Sequence, residues 1–357
     1  MTKGISGLRI VSIGGGTGLS TLLSGLKAYV GAEGLEADSI EKLTAVVTVT
    51  DDGGSSGRLR EEFQILPPGD IRNCMVALAE DEHLLTRLFQ YRFESDGDLS
   101  GHSFGNIFVA ALAGVTGDFL EAIKVSSEVL AIKGRIYPST IEDVTLLAEV
   151  EDGRIVRGET RIVDSRSRIK RLWLSRADCR PLPETLEAIK EADIITIGPG
   201  SLYTSLIPNL LVHGIVEAIN NSAALKVYIC NIMTQPGETE GFSIEDHLRV
   251  LFEYSPELQF DYAIANSTLV TKASREKYLA DGAVQVKFKA EPPPGTPAEQ
   301  RIKIDIDGDS KHTIRVIREE LLNETGLVRH DPQKLAKLLL KIQRAERALA
   351  LSIVNTQ

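Results

Sequence analysis

Asp51 and Asp52, at the polar end of the second strand, and Asp70, after the Pro67-Pro68-Gly69 break, are the carboxylates most able to converge in this chain. Paired hard oxygens of this kind can hold Mg²⁺ against a diphosphate, so Asp51 and Asp52 are the candidate metal ligands. Asp51 has a second reading, since an acid closing the second strand of a dinucleotide fold accepts hydrogen bonds from ribose hydroxyls. Asp70 has one too, as a cap on the helix that follows it. Two glycine loops suit phosphate. Gly14-Gly15-Gly16-Thr17-Gly18 follows an apolar run and opens a helix, and Gly198-Pro199-Gly200-Ser201 follows another apolar run. Free N–H groups at a helix N-terminus favour an anion. The alternative for the first loop is a sharp turn with no ligand. The third glycine of a dinucleotide fingerprint would fall at Leu19 or Thr21, and no Gly-Lys-Ser/Thr is present.

His102 stands between Gly101 and Ser103 with no Gly-x-Ser-x-Gly elbow, which argues against a serine hydrolase. It reads as a hydrogen-bonding loop residue rather than a general base. Asn231, Thr234, Gln235 and Glu238 suit base or sugar hydroxyls, while Met233 reads as core. Arg329 by itself reads as a surface residue or a helix-end partner.

These residues must be positioned by a scaffold, and the chain is ordinary enough to build one. It has 357 residues, 43% hydrophobic and 25% charged, which suits roughly two domains or one with an insertion. A net charge of −10 argues against a nucleic-acid partner. Cys74, Cys179 and Cys230 are far apart and show no zinc or disulfide spacing. No apolar run reaches spanning length and no signal peptide is evident, so no membrane partner and a cytoplasmic location are expected.

Strands over 9–13, 43–49, 194–197, 227–230 and 262–265 alternate with helical patterns over 19–26, 71–80, 82–91, 107–112, 119–131, 183–192, 209–220 and 244–253. The expectation is α/β: a Rossmann-like, doubly wound, mostly parallel sheet with polar loops at its strand ends. The Asp152-Gly153 turn marks a hairpin, and 133–175 is expected to be an antiparallel β insertion. Its basic tract (Arg166, Arg168, Lys170, Arg171) reads as a solvated face. The division is then 1–132 for a nucleotide-binding α/β part, 133–175 for the insertion and 176–357 for a second α/β part. That last part carries an inserted segment over about 285–318, with a Pro-rich stretch at 291–299, and a C-terminal helix. Asp305, Asp307 and Asp309 imitate a calcium loop, but the glycine falls at 308 instead of 310 and position 316 is Val rather than Glu, so they predict a hairpin turn. Asp331-Pro332 starts the last helix.

Taken together, 13–20, 51–60, 67–73, 101–106, 198–205 and 231–239 resemble the YvcK family of gluconeogenesis factors. That family is similar in fold to CofD, the 2-phospho-L-lactate transferase of deazaflavin cofactor synthesis. The resemblance spans about 8–270 and resumes near 325–345. It implies a cytosolic protein that binds UDP-sugars such as UDP-N-acetylglucosamine and serves cell shape and wall synthesis during gluconeogenic growth. It also implies that Tyr278 and Arg329 contact the UDP-sugar. The expected ligand-binding set is Gly14, Gly15, Gly16, Thr17, Gly18, Asp51, Asp52, Ser55, Ser56, Asp70, Asn73, His102, Ser103, Asn106, Gly198, Gly200, Ser201, Asn231, Thr234, Gln235, Tyr278 and Arg329.

Three classes compete. A regulatory UDP-sugar-binding protein is favoured, with no catalytic residue assigned and no cofactor required beyond candidate Mg²⁺. Cell-wall synthesis proteins and a second copy of the chain are its expected partners. A CofD-like transferase acting on a nucleoside diphosphate-linked 2-phospho-L-lactate donor is the alternative. A nicotinamide oxidoreductase is disfavoured by the missing third glycine.

Overall fold

The computed structural model describes residues 7–32, 38–80, 84–94, 96–290, 297–306 and 309–354. Its strands in chain order are β1 (Leu8–Gly14), β2 (Ile40–Val47), β3 (Arg135–Pro138), β4 (Leu146–Val150), β5 (Ile155–Arg157), β6 (Ile169–Leu174), β7 (Ile194–Ile197), β8 (Leu225–Ile229), β9 (Tyr262–Asn266), β10 (Glu299–Ile306), β11 (Asp309–Glu319), β12 (Leu322–Asn323) and β13 (Arg329–His330). Its α-helices are α1 (Gly16–Leu26), α2 (Gly54–Phe63), α3 (Gly69–Leu78), α4 (Leu84–Gln90), α5 (Phe104–Thr116), α6 (Phe119–Val129), α7 (Glu159–Asp164), α8 (Pro183–Glu191), α9 (Ile207–Leu210), α10 (Ile215–Asn221), α11 (Ile244–Tyr254), α12 (Lys272–Ala280) and α13 (Pro332–Val354).

β1 and β7 are continuous apolar runs, as strands covered on both faces should be. They lie side by side at the centre of an eight-stranded sheet of order β10-β11-β9-β8-β7-β1-β2-β3. Every pairing in it is parallel except that of β10 with β11. From β1 the chain winds outward through β2 and β3; from β7 it winds the other way. The β1/β7 boundary is therefore the topological switch point, where open α/β sheets hold their ligands. One face is covered by α1, α3 and α13, whose leucines pack with Ile10 and Ile264. The other face packs on the β insertion, α10 and α11. Among the described residues no single helix is long and apolar enough to cross a membrane.

The α/β reading holds, and the structure differs in detail. β3, expected inside the insertion, pairs with β2 in the main sheet, because Ile136 and Pro138 are buried there. The separate antiparallel sheet has the order β5-β4-β6 and carries the short helix α7. Its tract Arg166, Arg168, Lys170 and Arg171 is exposed. The segment expected as an insertion near 285–318 supplies β10 and β11, and β11 extends the main sheet beside β9. The hairpin expected at Asp305–Asp309 is present as the β10–β11 pair, although Asp307 lies outside the described residues, as do 291–296 of the Pro-rich stretch. The helix expected over 209–220 is broken into α9 and α10 at Gly214 (φ +92°). At α13, Asp331 Oδ1 accepts the N–H groups of Gln333 and Lys334, the expected cap.

α2 is a helix where a polar loop was expected. Gly54-Ser55-Ser56-Gly57 is a poor helical sequence. Burial explains it: Ser55, Ser56, Gly57 and Leu59 all face inward, and Asn106 of α5 donates to both serine hydroxyls at 3.2 and 3.4 Å.

Candidate functional site

The two glycine loops meet at the switch point. Gly15 is extended (φ −171°), so its backbone asks for no special residue. Space does: a Cβ there would stand 2.7 Å from Asp70 Oδ2 and 2.8 Å from Thr48 Cγ2. At Gly18 a Cβ would lie 2.5 Å from the Pro199 carbonyl oxygen. Glycine in the first loop thus lets the second loop close against it. Gly14 and Gly198 belong to this backbone packing rather than to the cleft wall. Asn209, fully buried, donates through Nδ2 to the carbonyls of Gly14 (3.1 Å) and Ser205 (2.7 Å).

A cleft of about 330 Å³ opens above these loops. Gly15, Gly16, Thr17, Gly18, Gly200, Ser201, Asn231, Thr234, Gln235, Tyr278 and Arg329, all expected in the site, line it together. Several are also busy holding its walls. Asn231 exchanges both hydrogen bonds with the Gly200 backbone, at 3.2 and 2.8 Å. Gln235 accepts from Asn231 Nδ2 and donates to Ser201 Oγ at 2.6 Å. Thr234 Oγ1 accepts the Val284 N–H. Tyr278 packs beside Ile232, Met233 and Val270, and its hydroxyl accepts the Val328 N–H at 2.9 Å, which fixes the chain just before Arg329. The Arg329 side chain is exposed at the rim with no acid partner among the described residues. His330 beside it is buried and neutral. Desolvation pulls its pKa down to about 4, against the opposing pull of the Cys230 carbonyl.

Behind the first loop lies a set of acids, Glu238 buried and Asp51, Asp70 and Glu159 half-buried. Burial, then the charge of Asp51, pushes Asp70 up to about 7, although the Gly16 N–H and the Asn73 side chain oppose this. Asp51 is raised chiefly by burial, while its Oδ1 accepts the Gly53 N–H at 2.9 Å. Glu159, delivered by α7, is pushed well up by burial and by Asp51, Asp70 and Glu238. Glu238 is raised to about 7 by burial, while it accepts from the Thr204 hydroxyl and the Tyr203 N–H. The fold thus presents backbone N–H groups and hydroxyls to the cleft, with acids behind them whose pKa values burial raises.

The remaining expected residues sit elsewhere. Asp52 Oδ1 accepts both the N–H and the hydroxyl of Thr160 at 2.9 Å, which docks the β insertion. Ser55, Ser56, His102, Ser103 and Asn106 form a buried network between α2 and α5, with Ser55 Oγ 3.0 Å from His102 Nδ1 and Ser103 capping α5. Oδ1 of Asp51 accepts the Gly53 N–H, and Oδ1 of Asp52, the other expected metal ligand, accepts from Thr160. Among the described residues no three His, Cys, Asp or Glu groups are placed to hold a metal ion.

Residues 10–322 match the family described as 2-phospho-L-lactate transferase CofD. The chain belongs to the CofD/UPF0052 family. A "Gluconeogenesis factor" of Bacillus subtilis (strain 168) is 43% identical over 94% of this chain and 98% of its own. One from Halalkalibacterium halodurans is 48% identical over 79% and 83%. A crystal structure of a UPF0052 member from Bacillus halodurans matches with a TM-score of 0.81 at 41% identity, over 94% of this chain and 99% of that chain.

Within this CofD/UPF0052 fold, Asn209, Glu159, Thr160 and His330 do work that the sequence reading had not assigned. Asn209 is adjacent to Pro208 in an apolar stretch, and Glu159 and Thr160 lie in the insertion, so no local pattern marks them. His330 had a signal, since it directly follows Arg329.

Proposed function

We propose that the protein is a regulatory UDP-sugar-binding protein of the gluconeogenesis-factor type, with UDP-N-acetylglucosamine as its ligand and cell shape and wall synthesis under gluconeogenic growth as its output. One observation carries the reading. Both glycine loops, the Asn231–Gln235 latch, Tyr278 and Arg329 share one cleft at the sheet switch point. The diphosphate would lie on the first turn of α1 and on Gly200-Ser201, within reach of the Arg329 guanidinium. The protein would act in the cytoplasm, with cell-wall synthesis proteins and further copies of itself as partners. It would need no cofactor; Oδ1 of Asp51 and Oδ1 of Asp52 already accept from Gly53 and Thr160. Calorimetry tests this: UDP-N-acetylglucosamine binds more tightly than NAD or GDP, with equal affinity in Mg²⁺ and in chelator. Tighter binding of NAD overturns the ligand class, and a large gain with Mg²⁺ restores a metal to the acids.

A CofD-like transferase is the second reading. Asp70, poised near 7 against the first glycine loop, has the pKa a general base needs. Product analysis after prolonged incubation with nucleoside diphosphate-linked donors separates the two readings, because a regulatory protein returns the nucleotide intact.

A further inference from the structure

A larger cleft, of about 710 Å³, lies on the far side of α2, between its C-terminal half, the end of α5, the start of α6 and the β insertion. Cavities of about 300–1,000 Å³ are the usual size for small-molecule sites. The nucleotide cleft shares no lining residue with it. Three arginines line it. Arg60 is largely buried and spends Nη2 on Asp143 Oδ1 (2.5 Å) and the Val144 carbonyl (2.6 Å). Its buried Nη1 has no hydrogen-bond partner among the described residues. Arg157 makes one long contact with Thr145 Oγ1 at 3.5 Å, and Arg161 has no acid partner among the described residues.

The acids on the same walls are mostly spent. Asp52 is held by Thr160, Asp118 caps α6 through the Glu121 N–H, and Asp143 is paired with Arg60. Asp118, Asp143 and Glu61 are all exposed, and of these acids Glu61 is the one whose carboxylate has no partner among the described residues. A buried guanidinium N–H without a partner is unfavourable, and an oxyanion is its natural complement. Buried Leu66 and Ala113 and half-buried Phe119 give the wall an apolar patch beside Gln64 and Thr145. Gly114 stands inside α5, where glycine weakens a helix, and a Cβ there would meet nothing within 4 Å. Its missing side chain keeps the cleft open.

We propose that this cleft is a second ligand site, which takes a small organic oxyanion. The carboxylate or phosphate lies among Arg60, Arg157 and Arg161, and the apolar body lies on Leu66, Ala113 and Phe119. The proposal does not rest on the nucleotide reading.

The test is a fluorescence titration with 1-anilinonaphthalene-8-sulfonate, a probe with an anionic head and an aromatic body. The full-length protein binds it at one saturable site that UDP-N-acetylglucosamine does not displace. Gly114→Phe fills the cleft from an open position without disturbing the backbone, and it abolishes the site. Arg157→Gln with Arg161→Gln weakens binding at least tenfold while the melting temperature stays unchanged. Displacement by phenyl phosphate or by benzoate tells which oxyanion the arginines accept. An unaltered titration in both variants overturns the proposal. So does failure of both anions to compete, or displacement of the probe by the nucleotide.

Discussion

At the residue scale, Arg329 and Asp70 carry the sharpest expectations. A guanidinium at the cleft rim would make charge-assisted hydrogen bonds to a diphosphate, each contributing about 1.5–3 kcal/mol. Arg329→Ala should therefore weaken UDP-N-acetylglucosamine binding about 10- to 150-fold. The exposed position predicts little change in the melting temperature of the free protein. Arg329→Lys should recover only part of the affinity, because lysine keeps the charge and loses the planar fork. Calorimetry on the three proteins decides, and wild-type affinity in Arg329→Ala removes the arginine from the site. For Asp70 the prediction concerns pH. Its folded pKa is near 7, above that of an unfolded aspartate. Between about pH 4 and 7 the unfolded chain releases this proton and the folded one keeps it, so stability falls as pH rises through that window and then levels off. Asp70→Asn should remove this slope and stabilise the protein at pH 8 by up to about 4 kcal/mol. Urea unfolding across pH measures it, and parallel curves for the two proteins would show that Asp70 ionises normally.

At the element scale, the site depends on helices held at close quarters. α1 carries the first glycine loop, and α13 follows directly on β13, which carries Arg329. The two helices touch at Gly25, where a Cβ would lie 2.0 Å from the Pro332 carbonyl oxygen. Gly25→Ala should push α13 outward, at a cost of roughly 1–3 kcal/mol as overpacking does. It should also weaken nucleotide binding, although Gly25 lies outside the cleft. An unfolding midpoint equal to wild type would mean that the helices separate without strain. α2 shows the converse. Its first turn is intrinsically weak, and its order comes from the serine–asparagine network with α5. Hydrogen exchange in α2 should therefore quicken in Asn106→Ala, which removes the donor to both serines.

At the scale of the whole molecule, the cleft draws on α1, the loops that follow β1, β7 and β8, α12 and β13, spread from one end of the chain to the other. A ligand that bridges them should act on global stability. At 100 times its dissociation constant, UDP-N-acetylglucosamine should stabilise the folded state by about 2.7 kcal/mol. Its shift in melting temperature should exceed those of NAD and GDP at equal concentration. A larger shift with NAD would favour the oxidoreductase class instead.

The sequence by itself determined the strand–glycine–helix unit at Arg9–Leu26, the parallel α/β class and the two glycine loops. Those signals are local: hydrophobic periods and turn residues act over a few positions. It also marked Asn231 and Gln235 through a polar motif after a strand, and Tyr278 and Arg329 only through the family resemblance. Only the tertiary structure decided what each polar group does. Asp52, expected as a metal ligand, takes a hydrogen bond on Oδ1 from Thr160, 108 residues away. Ser55, Ser56, His102 and Asn106 looked like ligand contacts, and they join two helices. Glu159 reaches the acids behind the first loop from an insertion with no motif of its own. A side chain's donors and acceptors are satisfied by whatever the fold places beside them, and that partner is set by long-range packing, which no local pattern encodes.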